Sequence, residues 1–97
     1  MKTVVIISAI AEWVGVKPLF PDVKIESFPY GECCTANIAG CELQFFHSGW
    51  GKIASAATMQ YIVDNHAPDL IVNLGTCGGF EDVVNRGDVI LVEQTIV

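Results

Sequence analysis

Three short segments carry groups suited to chemistry on a small molecule. They are Ser8-Ala9-Ile10-Ala11-Glu12, Ser48-Gly49-Trp50-Gly51-Lys52 and Gly75-Thr76-Cys77-Gly78-Gly79. Glu12 is a carboxylate just beyond an apolar run and at the start of a helical pattern, where it can orient or deprotonate a water. The plain alternative is that it complements the helix dipole on a solvated face. Thr76 brings a hydroxyl into a stretch with three glycines in five residues, directly after the apolar run Leu70-Ile71-Val72. In open α/β sheets, ligands bind in the crevice outside the carboxyl ends of the strands, where such loops collect. If the strands before the three segments run parallel, all three loops meet at one crevice.

Competing chemistries are weaker. Gly49-x-Gly51-x-x-Ala54 fits the dinucleotide pattern, but the strand before it belongs to an antiparallel meander. The next strand ends in Asn73, where that motif needs an acid for the ribose. The bland reading is that these glycines ease a helix against the sheet. His47 and His66 are too far apart for a helical metal pair, so His47 reads as structural and His66 as a cap or a solvated side chain. Trp50, between two glycines, either walls a ligand pocket or packs in the ordinary way. Cys33, Cys34, Cys41 and Cys77 lack C-x-x-C spacing, so reduced thiols in a cytoplasmic protein fit better than a metal site or a disulfide framework. No cofactor is called for.

Charge and composition narrow the partners. The net charge is −6, and the five basic residues are scattered, which speaks against nucleic acid and anionic membranes. No apolar run reaches the length that spans a bilayer. The chain is 52% hydrophobic and 16% charged over only 97 residues, so part of its apolar surface is expected to meet a partner or further chain.

These loops need a scaffold, and the periodicity supplies one. Thr3 to Ile7 is a continuous β-branched run, as in a central strand buried on both faces. A short helix follows, ending near Gly15 or Pro18. Strands are expected over Val23 to Phe28, Cys33 to Ile38 and Glu42 to His47, joined by turns at Pro29-Tyr30-Gly31 and Ala39-Gly40. The best helix covers Ile53 to Asn65, with Pro68 just beyond it. A strand at Leu70 to Asn73 and a terminal strand over Asp88 to Val97 complete the order β-α-β-β-β-α-β-β. That order predicts an α/β fold, a mixed sheet with helices on its faces. The terminal strand stops without a turn, so residues 1–97 are expected to be the N-terminal portion of a single longer domain whose C-terminal half is absent.

With these motifs in order, the chain resembles the N-terminal part of the purine nucleoside phosphorylase and uridine phosphorylase superfamily. It is most similar to the branch of methylthioadenosine/S-adenosylhomocysteine nucleosidases. The resemblance rests on Ala11-Glu12 after the first strand, on Ser48-Gly49-x-Gly51-Lys52 and its Ala-rich helix, on Pro68-Asp69-Leu70-Ile71-Val72-Asn73-x-Gly75-Thr76-x-Gly78-Gly79, and on Gly87-Asp88-Val89. It implies a three-layer α/β fold, incomplete here, and cleavage of the N-glycosidic bond of a purine nucleoside. Glu12 falls where the nucleosidases bind and activate the attacking water, and Thr76 at a hydroxyl that helps hold the water or the ribose. Ser8, Ala9, Trp50, Cys77 and Gly78 match positions lining the sugar and base pocket. Trp50 stands where an aliphatic residue is common, which implies a different fit for the group at the ribose 5′ position.

Hydrolysis and phosphorolysis part on one requirement. Holding phosphate calls for guanidinium groups with bidentate geometry. The phosphorylase branches place Arg in the first loop and Arg just before the Gly-Thr motif. Here the first loop has none, Asn73 stands before the motif, and the sole arginine is Arg86. Water is therefore the favoured nucleophile, with phosphorolysis and nucleoside binding without cleavage as the alternatives. The resemblance also implies a homo-oligomer, with a dimer favoured. It further implies a second half carrying a Met-Glu ribose clamp and the Asp that protonates the leaving base.

Overall fold

The computed structural model describes residues 1–96. Its first strand, β1 (Thr3–Ile7), lies inside the sheet and has four of five residues buried, as its unbroken β-branched run requires. The chain then forms α1 (Ile10–Val16) and a single 3₁₀ turn over Lys17–Leu19, with Pro18 inside it. Next come β2 (Glu26–Phe28), β3 (Gly31–Ile38) and β4 (Cys41–His47), then α2 (Lys52–His66) and β5 (Leu70–Asn73). The five strands form one mixed sheet in the order β2-β3-β4-β1-β5.

The meander β2-β3-β4 is antiparallel, whereas β4 and β5 both run parallel to β1. Ala39 and Gly40 both take positive φ, 51° and 81°. That is the backbone of a two-residue hairpin turn of the kind whose twist matches the strands. It sets the β3–β4 register, Ile38 opposite Cys41 and Glu32 opposite His47.

Alternation along β1 builds two cores. Val5 and Ile7 join Trp13 of α1, Cys34, Ala36 and Phe45 on one face. Val4 and Ile6 join Phe46 and Ile62 of α2 on the other. The helices therefore lie on opposite faces of the sheet, in the three-layer arrangement expected.

Two expectations need correction. The strand expected over Asp88 to Val97 is not one: residues 89–96 form no strand and are exposed, Val89 and Leu91 at 97%. Val97 lies outside the described residues. The alternating apolar pattern has strand character, but a strand exists only by pairing, and here it has no neighbour. The strand expected from Val23 begins only at Glu26; Val23 and Ile25 pack against the core without joining the ladder.

Candidate active site

The parallel register places three carboxyl ends side by side, Ile7 beside His47 and Ile6 beside Asn73. The ladder extends one step past each neighbour. The Ser48 N–H donates to the Ile7 carbonyl (3.1 Å), and the Leu74 N–H to the Ile6 carbonyl (2.9 Å). At the far end, Asp69 and the Lys2 backbone clamp the start of β5 (2.6 and 2.8 Å). The three candidate loops therefore leave from one edge.

Glu12 and Thr76 meet there. Oε2 of Glu12 accepts from the Thr76 backbone N–H (2.5 Å) and from its hydroxyl (2.7 Å). Oε1 accepts from the Ala9 N–H (3.2 Å), which caps the start of α1. Gly75 allows this approach: a Cβ there would stand 3.1 and 3.3 Å from the two carboxylate oxygens, tighter than side chains normally tolerate. Chiefly the Thr76 hydroxyl, then the Thr76 N–H, and last the Ala9 N–H hold the Glu12 carboxyl below its ordinary value of 4.5, against burial, which opposes them. The group is therefore an ionised acceptor at neutral pH. It borders an open cleft of about 400 Å³ whose other walls, Ile7, Ala11, Gly15, Val16, Leu74 and Gly75, offer no further ionisable side chain.

This link has a pH signature. Because the folded pKa is depressed, the stability that the link adds is complete above about 4.5 and is lost as pH falls through the lower folded value. Thr76→Val removes the hydroxyl donor and leaves the N–H. A ¹³C titration of the Glu12 carboxyl in that variant is expected to move its midpoint up toward 4.5. The stability cost should be no more than about 1 kcal/mol, since water reaches the pair. An unmoved midpoint would show that the hydroxyl does not hold the carboxylate.

The other expected site residues are placed less uniformly. The Ser8 hydroxyl lies 3.4 Å from that of Ser48, which is buried at the end of β4 and also donates to the Gly49 carbonyl. Cys77 and Gly78 do not join the Glu12 cleft. They line a separate hollow of about 650 Å³ that the 77–90 segment forms with itself, where Arg86 also lies. Trp50 is 75% exposed and borders neither cavity. His47 is structural as expected, its ring stacked on Trp13 with centroids 5.8 Å apart and planes 5° apart. His66 is a correction: it is half-buried, edge-on to Phe46 at 5.1 Å, and burial, then Lys2, lowers its pKa. Among the described residues no three of His, Cys, Asp and Glu gather closely enough to hold a metal ion, and all four cysteines are unpaired. No described helix is long and apolar enough to cross a membrane.

Sequence reasoning passed over Glu32, which accepts the Trp13 indole N–H at 2.9 Å. The signal was available in the hairpin. Counting back from Ala39-Gly40 pairs Glu32 with His47, beside the strand ends that carry the site.

A 5′-methylthioadenosine/S-adenosylhomocysteine nucleosidase of Bacillus velezensis is 32% identical over 91 residues, covering 94% of this chain and 39% of that protein. One from Pseudoalteromonas translucida is 40% identical over 60 residues, 62% of this chain and 26% of the relative. The chain thus spans between about a quarter and two-fifths of the length of these curated relatives. The crystal structure of the nucleosidase of the same name from Colwellia psychrerythraea, in complex with adenine, superposes with a TM-score of 0.72 at 27% identity. That match covers 91% of this chain and 36% of the other. The Neisseria meningitidis nucleosidase bound to methylthio-immucillin-A gives 0.66 at 27% identity, over 88% and 37%. The profile of the phosphorylase superfamily matches from residue 3 to residue 97 and leaves no element of the fold outside it, so the chain belongs to that superfamily.

Proposed function

We propose that these residues are the water-activating half of a hydrolase that cleaves the N-glycosidic bond of a purine nucleoside, such as methylthioadenosine or S-adenosylhomocysteine. The observation that carries the reading is the Glu12 carboxylate, gripped by three donors at the shared edge of three parallel strands. A carboxylate has about four acceptor positions. With three taken, about one is left to orient a water. In the reaction the bond from ribose C1′ to the purine nitrogen breaks, and its electron pair leaves with the base. The water oxygen bonds to the oxocarbenium-like C1′, and its proton passes to Glu12. The departing base needs a proton as well. The cleft walls supply no second ionisable group, and the chain covers only 39% of the Bacillus velezensis relative, so the proposed donor lies in further chain of a longer polypeptide.

Water is favoured over phosphate because the Glu12 cleft contains no guanidinium; Arg86 lies in the 77–90 hollow. Under the same proposal the enzyme is cytoplasmic and a homo-oligomer, with a dimer favoured. Four unpaired thiols support the first statement, and exposed Trp50, Ile53 and Phe80 support the second.

Adenine release from methylthioadenosine tests the reading. The full-length polypeptide is expected to release adenine. The isolated 97-residue chain is expected to release none above a Glu12→Ala control. Release by the isolated chain would overturn the half-site reading. Calorimetric nucleoside binding by the full-length protein with no product after long incubation would make it a binding module instead.

A further inference from the structure

Helix α1, which carries Glu12, has only seven residues, too few to hold a helix by propensity alone. Its position must come from packing, and Trp13 is its single buried residue, at 2% exposure. An indole buried this deeply needs a partner for its N–H, since an unpaired buried donor is costly. Glu32 on β3 is that partner, at 2.9 Å. His47, the cross-strand neighbour of Glu32, stacks on the same indole, so two adjacent strands grip one ring by its edge and its plane. Lys17, one residue beyond α1, reaches Glu32 at 3.4 Å and stands 6.0 Å from the Trp13 ring. That ion pair is a third to nearly half exposed (34% and 44%), so it adds little by itself. The indole N–H bond is the contact that matters.

Glu12 precedes Trp13 directly, so a rotation or shift of the indole moves the carboxylate relative to Thr76. We infer that Glu32 is a positioning residue for Glu12, acting through the Trp13 indole to hold α1 where the carboxylate meets Thr76. The inference rests on the reading of Glu12 as the water-orienting group, but the contact it describes is measurable without turnover. Glu32 itself touches neither Glu12 nor the cleft. The indole bond is also the main reason the Glu32 carboxyl sits below its ordinary value.

The test compares Glu32→Ala with Glu32→Gln. Both remove the charge, but the glutamine amide oxygen still accepts from the indole. Loss of a nearby negative charge alone would lower the Glu12 midpoint, whereas loss of the Thr76 contacts raises it. Glu32→Ala is therefore expected to raise the ¹³C titration midpoint of Glu12, and Glu32→Gln to leave it unraised. In the full-length polypeptide Glu32→Ala should lower kcat for nucleoside hydrolysis by about tenfold to a hundredfold with KM within about twofold, and Glu32→Gln should restore it. Amide protection at Val5 and Phe45 is expected to persist in both variants. An unmoved or lowered midpoint in Glu32→Ala, a glutamine variant as impaired as the alanine one, or loss of that protection would overturn the positioning role. If the full-length protein hydrolyses no nucleoside, the reading of function fails, while the titration of the 97-residue chain still decides whether Glu32 positions Glu12.

Discussion

Replacing Glu12 with glutamine is expected to lower kcat for nucleoside hydrolysis in the full-length polypeptide by about 10²- to 10⁴-fold, the usual contribution of a positioned acid–base group. KM should change far less. Glutamine keeps the size of the side chain, and its amide oxygen still accepts from the Thr76 hydroxyl and N–H, so the loop at 74–76 stays tied to α1. What disappears is the ability to take a proton from water, together with the weaker acceptance from the Ala9 N–H, which the amide NH2 cannot replace. The stability of the chain should therefore change by less than about 1 kcal/mol, which separates lost chemistry from lost fold. The depressed pKa of Glu12 adds a second expectation: activity persists into mildly acidic solution, because the carboxylate titrates below its ordinary value. Steady-state kinetics and urea unfolding of the same preparation check both. A loss of less than about tenfold would remove Glu12 from the reaction.

The largest structural effect is expected at the neighbouring residue. Trp13→Ala should destabilise the 97-residue chain by about 3–5 kcal/mol, the range for truncating a buried tryptophan. Small domains hold only about 5–15 kcal/mol in total, so this single change should leave the fold marginal or lost. The reason is geometric: Trp13 joins Val5, Ile7, Cys34, Ala36 and Phe45 in one core and is the only residue that α1 buries there. Trp13→Phe retains a ring against His47 and removes the indole N–H, so it should cost about 1–2 kcal/mol. Urea denaturation followed by far-UV circular dichroism measures both. A Trp13→Ala cost below about 1 kcal/mol would mean that α1 is held by something other than its buried indole.

Much of the scaffold was readable in advance, and for identifiable reasons. Thr3–Ile7 and Leu70–Asn73 are short apolar runs closed by turn residues, and they form strands with the bounds expected. The helix expected over Ile53 to Asn65 is longer by one residue at each end, since Gly51 can start it and Pro68 only has to end it. Glu12 and Thr76 were legible as a pair because each follows a strand by a few residues, and parallel strands bring such positions together.

The rest depended on tertiary partners. The pattern at residues 88–96 satisfies every local criterion for a strand, yet pairing is not a local property. Cys77 and Gly78 follow Thr76 directly, but the chain turns away after Thr76 and puts them in a different hollow. His66 looked like a helix cap, and only the arrival of Phe46 from β4 makes it a packing residue. Trp13 read merely as a neighbour of Glu12. Its grip by Glu32 and His47 needed the hairpin register to be carried across to another element.

The central claim is that Glu12 directs water, and no bound phosphate, at the glycosidic bond. Product analysis of methylthioadenosine cleavage by the full-length polypeptide, with and without inorganic phosphate, tests it most directly. The expected result is adenine and the free 5-substituted ribose, formed at a rate that phosphate does not raise and that Glu12→Gln lowers by about 10²- to 10⁴-fold. A sugar 1-phosphate whose formation depends on added phosphate would contradict it.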